Sequence, residues 1–213
     1  MRSKICVLAV SVVVSAGLAT ACSPTTGGVA SPAPSSSAPA GTSSPVDPEV
    51  PKVTQPPLDA GKYASDPCGL VPKDLLASLR YTDPGKYTPQ GDTPATAAGP
   101  SCLWKLSGEG LGLSAALGTG NREQGAGGLA GAYAAYRSGK ITKFLERAPD
   151  VDGYPAIYVD VQDERALGSC GLDVGIADDL AFNVYAQGYQ GQDDSCAVAS
   201  QVAASIIKTL KGA

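Results

Sequence analysis

Six cysteines and no histidine decide most of the chemistry open to this chain. No two cysteines stand as C-x-x-C, the unit of thioredoxin-type redox centres and zinc ribbons. Histidine is the commonest metal ligand and the usual base beside a nucleophilic serine. Its absence, with no G-x-S-x-G elbow, removes hydrolases of the usual kind. Glycoside hydrolysis needs two facing carboxylates. The candidates are Asp178 with Asp179, and Asp160 with Asp163 and Glu164. Both groups fall at predicted turns or strand ends, where acidic residues are ordinarily solvated. Gly118-Thr119-Gly120-Asn121-Arg122-Glu123 begins like a dinucleotide loop but lacks the third glycine and follows a hairpin, so it reads as a flexible connector. Tyr133, Tyr136, Tyr154, Tyr158, Tyr185 and Tyr189 offer either a ligand groove or core edges with the hydroxyl in water, and core packing is the expectation. No catalytic residue, cofactor or metal ligand emerges, and the chain is not expected to be an enzyme.

The remaining chemistry is at the N-terminus. Arg2 and Lys4 precede an uncharged apolar run at residues 5–18, then the small residues Ala19, Thr20 and Ala21, then Cys22. Those are the three parts of a secretory signal. The run is shorter than the roughly 20 residues a membrane span needs. Leu18-Ala19-Thr20-Ala21-Cys22 resembles the bacterial lipobox, with Ala19 where Leu is commoner. That resemblance implies a leader at residues 1–21, cleavage before Cys22, diacylglycerol on its sulfur and further acylation of the new amine. Two or more acyl chains hold stably, at about 0.8 kcal/mol per buried methylene. The location this implies is the extracytoplasmic face of the cell membrane, with the membrane as partner through lipid on Cys22.

Export brings oxidising conditions, where disulfides persist. With Cys6 in the leader and Cys22 lipidated, Cys68, Cys102, Cys170 and Cys196 remain. Four cysteines allow three pairings, which the sequence does not distinguish. Cys68–Cys102 and Cys170–Cys196 are favoured, because each pair sits within one half of the domain and joins a helix or its entry to a strand. The formal charge is −4, and losing Arg2 and Lys4 with the leader makes it −6. A net-negative chain lacks the basic footprint of nucleic-acid binders. It also lacks one for anionic lipid.

Residues 22–64 are rich in Pro, Ser, Thr, Ala and Gly and read as a disordered tether, able to reach on the order of 100 Å at about 3.1 Å per residue. Residues 65–213 then form a single domain of about 150 residues. Pro72 opens a short helix carrying Leu75, Leu76 and Leu79. Residues 81–100 read as a long loop. Cys102, Trp104 and Leu106, then Leu111, Leu113, Ala115 and Leu117, alternate as a hairpin with one buried face. A helix follows at 129–138, with strands expected at 141–145 and 156–162. Cys170, Leu172, Val174 and Ile176 share a face in the next strand, and Leu180, Phe182, Val184 and Ala186 in the one after. A closing helix runs from about 195 to 211, with Asp193, Asp194 and Ser195 offering caps and favourable charge at its start. The predicted fold is α+β: an antiparallel sheet with helices packed on one face and two intradomain disulfides.

Asp66-Pro67-Cys68-Gly69-Leu70, Ser101-Cys102-Leu103-Trp104, Val151-Asp152-Gly153-Tyr154-Pro155-Ala156, Cys170 and Cys196 occur in that order. Together they resemble the actinobacterial lipoproteins of the domain of unknown function 3558 family, over about residues 65–211. The resemblance implies the fold, the anchor and the two disulfides, and transfers no active site. The layout is also similar to the sheet-and-helix sandwich of PsbP and Mog1-like proteins, which are binding and assembly modules. The expected function is a non-catalytic binding or assembly module in the envelope, contacting a protein partner. The alternative is a carrier of an apolar or lipid ligand in a cavity between sheet and helices.

Overall fold

The alternation that begins at Cys102 builds one antiparallel sheet in the computed structural model, which describes residues 49–106 and 108–212. The expected leader at 1–21, Cys22 and the expected tether as far as residue 48 lie outside the described residues. Everything described belongs to one compact unit, Ser43–Ala213.

The sheet holds seven strands: β1 Lys86–Thr88, β2 Ser101–Leu106, β3 Leu111–Leu117, β4 Phe144–Val151, β5 Tyr154–Asp160, β6 Cys170–Ala177 and β7 Leu180–Gln187. Their spatial order is β1-β2-β3-β7-β6-β5-β4, every neighbour antiparallel. Three hairpins supply the neighbours β2–β3, β4–β5 and β6–β7, and the β3–β7 pairing joins the halves. The β4–β5 hairpin turns at Asp152 and Gly153, with φ of 49° and 86°. Two successive positive φ values are the signature of the turn whose twist matches a hairpin, and Asp-Gly is a preferred pair for it.

Four helices accompany the sheet: α1 Lys73–Ser78, α2 Thr119–Glu123, α3 Gly128–Ser138 and α4 Gln192–Lys211. The period-2 pattern sends Leu172, Val174, Phe182, Val184, Leu113 and Ala115 to one face, where they share a core with Val202, Ala203, Ile206 and Ile207 of α4. Cys170–Cys196 staples α4 to β6, and Cys68–Cys102 ties the turn at Pro67–Leu70 to β2. The α+β class, the antiparallel sheet and both disulfides are therefore as expected.

The layering differs from the expectation. Leu129 and Tyr133 of α3 pack on Ile157 and Ala181, which point to the reverse face. Helices thus cover both faces rather than one. The reverse face of β6 carries Gly171 and Gly175, and a Cβ at Gly175 would sit 3.0 Å from the Leu129 side chain, so glycine makes room for α3.

Five local expectations also change. The packed domain starts near Val50 rather than at 65: Ala60 is buried, Leu58 N donates to the Ile176 carbonyl at 3.0 Å, and the Tyr154 hydroxyl donates to the Pro56 carbonyl at 2.8 Å. Proline-rich composition marks this segment as extended, not as unpacked. The expected strand at 141–145 becomes β4 at Phe144–Val151, leaving Ile141 exposed. The connector at 118–123 contains α2, and the loop at 81–100 contains edge strand β1. Helix α4 begins at Gln192 with Gly191 as N-cap. Asp193 and Asp194 supply the expected first-turn charge but do not cap, and the Ser195 hydroxyl donates back to the Gly191 carbonyl.

Candidate functional site

The two faces of the sheet are finished differently. Helix α4 seals one: Val202, Ala203, Ile206 and Ile207 are all fully buried. Helix α3 is 11 residues long and covers only part of the other. Beyond it Asp173 of β6, Asn183 and Tyr185 of β7, Ser114 and Ala116 of β3 and Ser101 of β2 stay half-buried, and there a groove of about 590 Å³ opens.

Strand register builds its floor. One row runs across the sheet from Asp173 on β6 to Asn183 on β7, Ala116 on β3 and Ser101 on β2. The next pairs Gly171, Tyr185 and Ser114. Gly128, Gly131, Ala132 and Ala135 of α3 form one wall, and their small side chains leave the volume clear. A Cβ at Gly171 would lie 2.4 Å from the Val159 carbonyl oxygen and 3.3 Å from the Tyr185 ring. Glycine there lets β5 and the Tyr185 ring approach together.

The polar groups are ordered. The Asn183 amide donates to an Asp173 carboxylate oxygen at 2.7 Å. Burial pushes the Asp173 pKa up from 3.8 to about 6, with the Asn183 bond opposing the shift. Asp160, at the end of β5, accepts from the Val161 amide at 2.6 Å and lies near the Tyr185 phenol. Burial raises its pKa as well, and Asp163 and Glu164 nearby add to the rise. The Tyr185 phenol is raised by burial and then by the Asp160 charge, and Ser169 nearby opposes the shift. Among the described residues no lysine or arginine lines the groove. Among the described residues no three of His, Cys, Asp and Glu gather as a metal site.

A second hollow of about 640 Å³ lies between α1 and β2. Val71, Leu76, Tyr81, Trp104 and the Cys68 half of the disulfide line it, and Asp66, Lys73 and Asp83 stand at its polar positions. Gly85 closes against Trp104 and Cys102, since a Cβ there would meet the Cys102 sulfur at 2.2 Å. Two of the segments singled out by motif, Asp66–Leu70 and Ser101–Trp104, thus converge on one hollow.

The carboxylates named from sequence separate. Asp178 and Asp179 are exposed turn residues, and Asp179 pairs with Arg122 at 2.6 Å. Asp163 is held below the usual carboxylate range by its bonds from Arg165, whose guanidinium also reaches Glu146 at 2.9 Å and lies over the Phe144 ring. Arg165 is buried there as a clamp on the loop after β5. Of the Asp160, Asp163 and Glu164 group, only Asp160 reaches the groove. Of the six tyrosines, Tyr185 lines it. Tyr133 and Tyr154 are core, and the Tyr189 hydroxyl pairs with that of Tyr81 at 2.9 Å. Asp173, Asn183, Ser101 and Ser114 were missed. Their signal was present: Asp and Asn stand mid-strand in CGLDVGIA and LAFNVYAQ, on the face opposite the apolar residues.

A family model described as "Protein of unknown function (DUF3558)" matches residues 17–209. No curated protein and no solved structure matches the chain, so likeness to the PsbP and Mog1 sandwich rests on the sequence pattern alone.

Proposed function

The chain belongs to the DUF3558 family, whose description assigns no activity, and from its own residues we propose that it is a lipid-anchored, extracytoplasmic binding module that presents the half-covered sheet face to an envelope partner. The observation that carries this reading is the groove beside α3, with Asp173, Asn183 and Tyr185 held in register on its floor. A large concave site with a few convergent polar groups is the default binding site of a domain. The anchor is read from the residues around Cys22, and the tether behind it lets the groove work away from the bilayer.

Two experiments test the reading. Replacing Cys22 by Ser and fractionating cells tests the anchor, and retention on membranes as strong as that of the parent would remove it. A compact diazirine-bearing residue, too small to fill the groove, placed at Ser114 in cells tests the groove against the same residue at Gln201, exposed on α4. Selective capture of an envelope component at Ser114 is expected, and equal capture at both positions counts against the groove.

A second reading, carriage of an apolar ligand, is favoured by the hollow at Trp104, whose volume and apolar lining suit one. Native mass spectrometry of the purified chain tests it, and a bound apolar molecule released by Leu76→Trp is the expected sign. The groove beside α3 is a poorer fit for a lipid, because its lining is mixed rather than aliphatic.

A further inference from the structure

We infer that the groove beside α3 takes a neutral glycan, an inference that rests on the groove being the binding surface. Eight polar side chains line it: Ser101, Ser114, Asn121, Thr142, Asp160, Asp173, Asn183 and Tyr185. They sort the ligands by chemistry.

An anionic or phosphorylated ligand meets two carboxylates and, among the described residues, no lysine or arginine. Nothing in the lining would neutralise it, and like charges at short range repel. An acyl chain would strip water from the eight polar side chains without replacing the hydrogen bonds lost. A peptide adding as a strand needs the free backbone groups of a sheet edge, and this groove lies on a sheet face between β2 and β5.

A neutral sugar meets each of these conditions. Every sugar hydroxyl both donates and accepts, so a row of them needs acceptors next to groups that can do either. Asp173 and Asn183 form one such pair, 2.7 Å apart on neighbouring strands. Asp160 and Tyr185, neighbours in the groove lining, form another. Ionised carboxylates only accept, amides do both, and a phenol does both. The apolar C–H edge of a ring has its counterpart in Ala116, Ala132, Ala135 and Ala181. The volume, about 590 Å³, falls within the range of small-ligand sites.

The test applies the full chain, purified in detergent, to an array of neutral, carboxylated or sulfated, and amine-bearing oligosaccharides. Two variants accompany it. Ser114→Trp fills the groove from β3. Asp173→Asn keeps a partner for Asn183 but removes a charged acceptor. Thermal melts of both variants verify the fold. Binding of neutral oligosaccharides is expected, weakened at least about tenfold in each variant, the size of one charge-assisted hydrogen bond or more. No binding of neutral sugars, binding confined to charged ones, or undiminished binding by a folded Ser114→Trp variant would each overturn the glycan. Capture of a protein at Ser114 in cells with a blank neutral array removes the glycan and leaves the groove as a binding surface. Absence of capture at Ser114 removes the surface itself.

Discussion

Asp173→Asn should stabilise the protein at neutral pH and flatten its stability between about pH 4.5 and pH 7.5. The Asp173 carboxyl sits on the groove floor with one hydrogen bond, from Asn183, and no cation beside it among the groove's residues. Its pKa is about 6 in the fold against an ordinary 3.8. A folded-state pKa above the unfolded one means that the native state binds the proton more tightly. The stability this contributes is present in full below the ordinary value and disappears as pH rises through about 6. At 1.36 kcal/mol per pKa unit the whole effect is about 3 kcal/mol. Asp173 is only partly buried, and water in the groove screens it, so about 1–3 kcal/mol is the working range. Asp160 slopes the same way and Asp163 the opposite way, so the informative quantity is the difference between parent and variant. Urea denaturation with disulfides intact, at about pH 4.5 and 7.5, measures it. The parent should lose about 1–3 kcal/mol more than the variant across that interval. Parallel pH profiles, or a variant less stable than the parent at neutral pH, would refute the reasoning.

Replacing both Cys170 and Cys196 by Ala should lower stability by about 3–4 kcal/mol, since the bridge closes a separation of 26 residues; a loss under about 1 kcal/mol in urea would contradict this. Arg165→Met should cost about 1–2 kcal/mol, mainly through the lost stacking on Phe144 and lost anchoring of the loop after β5. It should also let the Asp163 pKa rise by NMR titration, because the Arg165 bonds now hold it down. Arg165→Lys should not rescue it, since one ammonium cannot reproduce the fork that reaches both Asp163 and Glu146. Gly153→Val should cost about 1–2 kcal/mol, because a β-branched residue is strained at φ 86° in the β4–β5 turn, and thermal melts read the loss.

The sheet was legible because its code is local. Leu172, Val174, Phe182 and Val184 alternate with smaller or polar residues, and that alternation fixes strand, face and register together. The cysteine pairs were legible because each spans one half of the domain. Three features were not. The packing of residues 50–60 depends on distant partners such as Ile176 and Tyr154, which composition does not reveal. The second covered face depends on glycines at 171 and 175, which read in isolation as weak strand residues. The groove depends on cross-strand neighbours: Asp173 and Asn183 are ten residues apart in sequence and adjacent only once β6 and β7 pair. Asp160 was singled out with Asp163 and Glu164, its sequence neighbours, whereas its partner in space is Tyr185.

The most direct test of the account combines its two halves, the anchor at Cys22 and the groove on the sheet face. Crosslinking from Ser114 is quantified in cells expressing either the parent chain or the Cys22→Ser variant at matched amounts. The account predicts a discrete envelope adduct from Ser114 in the parent, absent from the Gln201 position, and strongly reduced when Cys22 is lost. An adduct of undiminished yield in the Cys22→Ser variant would contradict the anchor's role, and no adduct from Ser114 in the parent would contradict the groove.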